Sequence, residues 1–243
     1  MQASTVPLAQ NPEFHNATRI HRALTAQLER RILQWIAARA PRWLTSDQLT
    51  LLGFAAQCAA GLFFAVARTH RLALLAVILC VALNWLGDSL DGNLARLRHQ
   101  ERPRYGFYVD HIVDVLGSVA LMTGLAASGF VHPFIALAML ITFLVLAAES
   151  FLATYTLGRF ELAHSLFGPT EIRLLLIAGT VALLRSPWTT LFGHRFLLFD
   201  LGGILATCSM ALMAFLVALR HTRQLYCAEP IPHLPSPSPT PER

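Results

Sequence analysis

The sequence contains no lysine, and all 19 of its basic residues are arginine. Arginine keeps its charge at any working pH, so the formal net charge of +5 cannot be titrated away. A fixed positive charge suits contact with anionic headgroups or phosphate groups. Charge of either sign is scarce. Charged residues make up 14% of the chain, against roughly 25% in soluble domains, and the mean hydropathy is +0.52. A length of 243 residues leaves room for one or two soluble domains, yet no segment reads as a soluble core. The arginines are scattered between apolar runs, which weighs against the solvent-facing basic surface of a nucleic-acid binder. Cys58, Cys80, Cys208 and Cys227 show no CxxC or metal-finger spacing. Three of them lie inside apolar runs, where a thiol behaves as a small hydrophobe. Residues 1–40 hold no continuous apolar run, so no secretory signal is legible. No repeat of a soluble type is evident.

Long apolar runs are what the sequence does have. A helix needs about 20 predominantly apolar residues to cross a ~30 Å hydrocarbon core, and six segments are read as spans: Leu49–Ala67, Leu72–Leu97, Phe107–Phe130, Pro133–Leu157, Pro169–Trp188 and Leu197–Leu219. Thr45-Ser46-Asp47-Gln48 offers a capping box for the first. Upstream, Ile20, Leu24, Leu28, Ile32 and Ile36 recur every four residues, with arginines mostly between them. That pattern predicts an amphipathic helix over 18–40 lying in the membrane interface; docking on another protein domain is the alternative. The expected fold is therefore all-α: six transmembrane helices over 41–222, preceded by the interfacial helix. Residues 1–17 are expected to be flexible. Residues 223–243 end in AEPIPHLPSPSPTPER, a proline-rich stretch expected to be a disordered tail.

Six spans place both termini on one side. Arginines crowd the loops on that side, and Arg68, Arg71, Arg185 and Arg195 fall opposite. The positive-inside rule then puts both ends in the cytoplasm, with the bacterial inner membrane as the expected location.

Within GDSLDGNLARLRHQERPRYGFYVDHIVD, at the edges of two apolar runs, stand four aspartates. Asp88 and Asp91 are i,i+3 on the second span, with Gly92, Ala95 and Arg96 continuing that face. Gly106, Asp110 and Asp114 are i,i+4,i+8 on the third. A polar connection over Leu97–Tyr105 turns the chain back, so the two spans are expected to be antiparallel neighbours whose acidic faces converge. Carboxylates held close together repel one another, and burial opposes their ionisation. Oxygen-only ligands suit a hard divalent cation such as Mg²⁺ or Mn²⁺, and two such ions would nearly neutralise four carboxylates. Gly87, Gly92 and Gly106 are read as leaving room for two helices and a ligand to approach closely. Any one of them alone reads as a helix contact.

Asp88-x-x-Asp91-Gly92-x-x-Ala95-Arg96, followed by Gly106-x-x-x-Asp110-x-x-x-Asp114, resembles the signature of the CDP-alcohol phosphotransferases, also called CDP-alcohol phosphatidyltransferases. The gap between Arg96 and Gly106 is one residue longer than usual for that family. The six-span layout also looks like this family over roughly 18–222. The resemblance implies transfer of a phosphoalcohol group from a CDP-alcohol to a second alcohol, lipid or polar, with release of CMP, in phospholipid biosynthesis. It implies Asp88, Asp91, Asp110 and Asp114 as metal ligands, with Asp114 also the base that deprotonates the incoming hydroxyl. It implies Gly92, Ala95, Arg96 and Gly106 as the nucleotide-binding residues, and a homodimer.

Other signals stand outside the signature. Gly168-Pro169-Thr170-Glu171 is similar to an element of the choline/ethanolamine branch, which would put Glu171 and Arg173 on the acceptor side; the alternative is a proline at N1 with a glutamate favoured by the helix dipole. Glu149 lies deep in the fourth span, where an acid is expected to be paired or to face a cavity. His111 points off the aspartate face and is expected to pack. Asn84, one turn before Asp88, is read as its hydrogen-bond partner or as an interhelical contact. Two other functions compete: an aspartate-motif intramembrane prenyltransferase, and a divalent-cation transporter with no enzymatic activity. The prenyltransferase would carry its acidic motifs far apart in sequence. The transporter would carry acids near midplane.

Overall fold

Thr45 Oγ1 accepts from the Gln48 N–H at 3.2 Å, and the Gln48 side chain accepts from the Thr45 N–H at 2.9 Å. This capping box closes amide groups that a helix start leaves open. In the computed structural model, which describes residues 26–157 and 169–229, it opens α2 (Ser46–Ala67). Before it comes α1 (Ala26–Arg39). After it come α3 (Ala73–Leu97), α4 (Pro103–Ala127), α5 (Pro133–Leu157), α6 (Pro169–Arg185), β1 (Trp188–Leu191), β2 (His194–Leu197) and α7 (Leu198–Ala228).

Five described helices, α2, α3, α4, α5 and α7, are long and apolar enough to cross a membrane. The expected count of six is therefore shown for five. The segment read as a span over 169–188 is α6, a helix of 17 residues. At 1.5 Å per residue it rises only about 25 Å. It stops before Ser186-Pro187, since the residue ahead of a proline is disfavoured in a helix, and Trp188 opens a hairpin. β1 and β2 pair antiparallel, Trp188 opposite Leu197, around Phe192 and Gly193 at φ 50° and 81°. Two successive positive φ values give the tight turn whose twist matches a hairpin. The all-α expectation gives way there to one small sheet.

The helix expected over 18–40 is described as α1 from Ala26; its earlier part, like the N-terminal stretch 1–17, lies outside the described residues. Leu33 and Ala37 are its buried face, against Leu49, Leu90 and Leu94, whereas Ile32 is 41% exposed. A strict four-residue spacing drifts around a helix of 3.6 residues per turn, and the buried face lies one residue on from the expected set, whose Ile36 is only partly buried. At the other end, α7 runs to Ala228 and takes in the first residues of the expected tail; residues 230–243 lie outside the described set.

The expected direct pairing of the two aspartate helices is replaced by a three-helix arrangement. α2 packs along both α3 and α4, while α3 and α4 make little contact with each other. Glycines set this. A Cβ on Gly87 would lie 2.6 Å from Leu49 O and 2.7 Å from Gly53 N. On the other side of α2, a Cβ on Gly124 would collide with the Gly61 backbone. Backbone-to-backbone approach of this kind is open only to small residues. Phe64, Leu74, Val77, Leu121, Leu125 and Leu183 form the core away from the aspartates. α6 lies along α3, α5 along α4, and α7 along α5.

Candidate functional site

α3 ends in a Schellman motif. Gln100 N donates to Ala95 O at 2.9 Å and His99 N to Arg96 O at 3.2 Å, with His99 at φ 52°, where glycine is usual. Arg98 closes the end by donating to the carbonyls of Leu44, Pro41 and Ala40. α4 then starts at Pro103, a residue whose missing N–H costs nothing at a helix start. The polar connection thus shrinks to residues 98–102, because both helices extend into it. Arg102 pairs with Asp47 and lies over the Tyr105 ring at 4.1 Å. That hydrogen bond holds the guanidinium pKa above its ordinary value, although an exposed pair of this kind contributes little stability.

This frame brings together Asp88 from α3 with Asp110 and Asp114 from α4: one carboxylate oxygen of each lies within 4.8 Å of the others. The three line a small cavity of about 10 Å³ with Thr50, Gly53, Phe54, Gln57, Asn84 and Val113. That is roughly the volume that holds one water. Three carboxylates at this spacing repel one another, and an all-oxygen donor set around a water-sized space fits a hard divalent cation.

Asp91 stands apart. It is buried, its Oδ2 accepts from Thr50 Oγ1 at 2.6 Å, and its Oδ1 accepts from Gly92 N at 2.5 Å. Residues three apart on a helix differ by about 60° around the axis, and residues four apart by about 40°. Asp110 and Asp114 therefore stay together, while Asp91 turns toward α2.

Arg173 from α6 enters the site. Its Nη2 lies 2.7 Å from Asp88 Oδ2 and its Nε donates to Asn84 Oδ1 at 2.9 Å. Asn84 in turn donates to Gly53 O at 3.0 Å and to Gln57 at 3.4 Å, so it is an interhelical contact rather than a partner of Asp88. Glu171 is buried in the first turn of α6. Arg96 is exposed and donates to Asn93 Oδ1 at 3.2 Å, and Ala95 is half-buried. The glycines separate into two kinds. Gly87 is demanded by the α2 crossing. A Cβ on Gly92 would meet nothing nearer than Arg96 at 3.7 Å, and one on Gly106 would meet nothing within 4 Å. Protein packing gives no reason for glycine at these two positions.

His111 packs as expected, against Phe107 and Phe151. Glu149 finds a partner 72 residues away: His221 Nδ1 lies 2.6 Å from its Oε1. Sequence reasoning missed Thr50, Gln57 and Glu29. Nothing local marks the first two. Glu29 carried one signal, as the single acid in the arginine-rich stretch 19–39.

The family model for CDP-alcohol phosphatidyltransferases matches residues 43–219. No curated protein matches the chain.

Proposed function

The chain belongs to the CDP-alcohol phosphatidyltransferase family, and from that membership we propose that it moves a phosphoalcohol group from a CDP-alcohol to an acceptor alcohol and releases CMP. The convergence of Asp88, Asp110 and Asp114 carries this reading. Family membership also favours this reading over the prenyltransferase and cation-transporter alternatives.

Asp88, Asp110 and Asp114, with Asp91 one turn along α3, would hold two divalent ions, Mg²⁺ or Mn²⁺. When bound, the metal supplies charge stabilisation to the phosphoryl oxygens. The rest falls to the chain. Asp114 accepts the proton of the acceptor hydroxyl, whose oxygen forms a bond to the phosphorus bearing the alcohol. The bond from that phosphorus to the bridging oxygen breaks, and CMP leaves with that oxygen. Arg173 faces the phosphate oxygens from α6, beside Glu171 on the acceptor side. Gly92, Ala95, Arg96 and Gly106 line the nucleotide, and the open space at Gly92 and Gly106 supports that role.

The site end is proposed to face the cytoplasm, where a soluble nucleotide meets a lipid that stays in the bilayer. α6 is proposed to cross as well. It runs beside α3 from Asp88, reached by Arg173, to Arg71, whose Nε donates to Leu183 O at 3.2 Å. The interfacial setting of α1 and the homodimer belong to the same proposal.

CMP release from a panel of CDP-alcohols, with diacylglycerol and small alcohols as acceptors, tests the reading. EDTA is expected to abolish turnover, and added Mg²⁺ or Mn²⁺ to restore it; EDTA-resistant turnover would refute the metal role. Gly106→Ala separates folding from binding. Replacing a helical glycine by alanine stabilises by about 0.5 kcal/mol, while the added methyl should raise the donor KM by about tenfold. An unchanged KM would remove Gly106 from the nucleotide site.

A further inference from the structure

α1 precedes the segment that the family model covers, yet one of its side chains reaches the two helices that frame the site. Glu29 Oε1 accepts from Trp85 Nε1 at 3.1 Å, from Ser89 Oγ at 3.2 Å and from Thr170 Oγ1 at 3.0 Å. Trp85 and Ser89 are i,i+4 on α3 and present one face. Ser89 is the neighbour of Asp88, and Thr170 is the neighbour of Glu171 and stands three residues before Arg173. One carboxylate oxygen therefore joins three helices at the level of the acidic cluster. Bonds to a charged acceptor are roughly twice as strong as neutral ones.

We propose that Glu29 is a positioning residue for the acceptor side of the site. Through Thr170 it holds the first turn of α6 against α3, and that turn carries Glu171 and Arg173. The distance between Arg173 and Asp88 depends on where this turn sits. α1 and α6 each rest on α3, and Glu29 adds a direct link between them. α1 is thereby part of the frame of the site as well as a surface helix. The inference rests on the phosphotransferase reading for what Arg173 and Glu171 do, but the tether itself is a matter of packing and can be measured without turnover.

The test uses the full chain in lipid nanodiscs, with Glu29→Ala, Glu29→Gln, Thr170→Val and Thr170→Ser. Two quantities are read: amide hydrogen exchange across the chain, and the kcat and donor KM of CMP release from the CDP-alcohol that the wild type turns over. Glu29→Ala is expected to speed exchange in α1 and in the first two turns of α6, and to lower kcat about tenfold with the donor KM unchanged. Glu29→Gln retains an accepting oxygen and should keep most of the activity. Thr170→Val cuts the α6 link alone. It should repeat the α6 exchange change and lower kcat severalfold while leaving α1 protected, and Thr170→Ser should restore both. Exchange changes confined to α1 in Glu29→Ala, or wild-type kcat and α6 exchange in Thr170→Val, overturn the proposal. Should Glu29→Ala fail to fold, the Thr170 pair decides. A wild type that releases no CMP from any CDP-alcohol sinks the functional reading instead, and the exchange arm then judges the tether by itself.

Discussion

Asp114→Asn is expected to lower CMP release by about 10²–10⁴-fold, the range that a positioned general base contributes. Asparagine has nearly the volume of aspartate and retains a carbonyl oxygen, so the lining of the cavity shared with Asp88 and Asp110 is preserved. What is lost is the ability to take a proton from the acceptor hydroxyl. Asp114 lies three turns into α4, at the inner end of the cluster, where bulk water is a poor substitute base. The loss should therefore appear mainly in kcat, with Mn²⁺ binding, followed by electron paramagnetic resonance, weakened less. Full turnover by this variant would transfer the base to another group and leave Asp114 as a ligand alone.

The second large effect concerns folding. Glu149 and His221 link α5 to α7 with side chains 12% and 11% exposed, and Glu149 Oε2 is buried with no hydrogen-bond partner among the described residues. His221→Ala would leave both oxygens of the carboxylate without that partner. Breaking a buried pair from one side costs about 3–5 kcal/mol, and an acid inside a span is costly by itself. The variant should unfold at markedly lower denaturant in mixed detergent–SDS titrations. Replacing both residues by leucine should recover most of the stability, since an apolar pair of similar volume fits the seam without an uncompensated charge. Wild-type unfolding of the single variant would mean that Glu149 is satisfied elsewhere.

The acidic cluster was legible because a helix writes its faces into the sequence. Gly106, Asp110 and Asp114 recur every four residues, and two of the three carboxylates that converge come from that stripe. Asp91 was grouped with Asp88 on the same logic, and its i,i+3 offset sets it against α2, where the Thr50 hydroxyl donates to it. The hairpin escaped because four-residue strands carry too few positions for alternation to register. Phe192-Gly193 was its one local mark. Arg173 was flagged as a cation near a helix start, but its pairing with Asp88 depends on α6 lying against α3.

Composition and local spacing by themselves determined a helical membrane chain, the helix start at Thr45, the acidic stripe on α4 and the family signature. Those features depend on residues within a few turns of one another, and the 3.6-residue period or a fixed motif encodes them directly. The tertiary structure alone decided that α2 packs between the two aspartate helices, that Asp91 bonds to Thr50 of α2, that Arg173 reaches Asp88, and that Glu29 and Glu149 find partners on distant helices. Each of these depends on which helix faces which, set by glycine crossings and side-chain reach between segments far apart in the chain, and no local period records it.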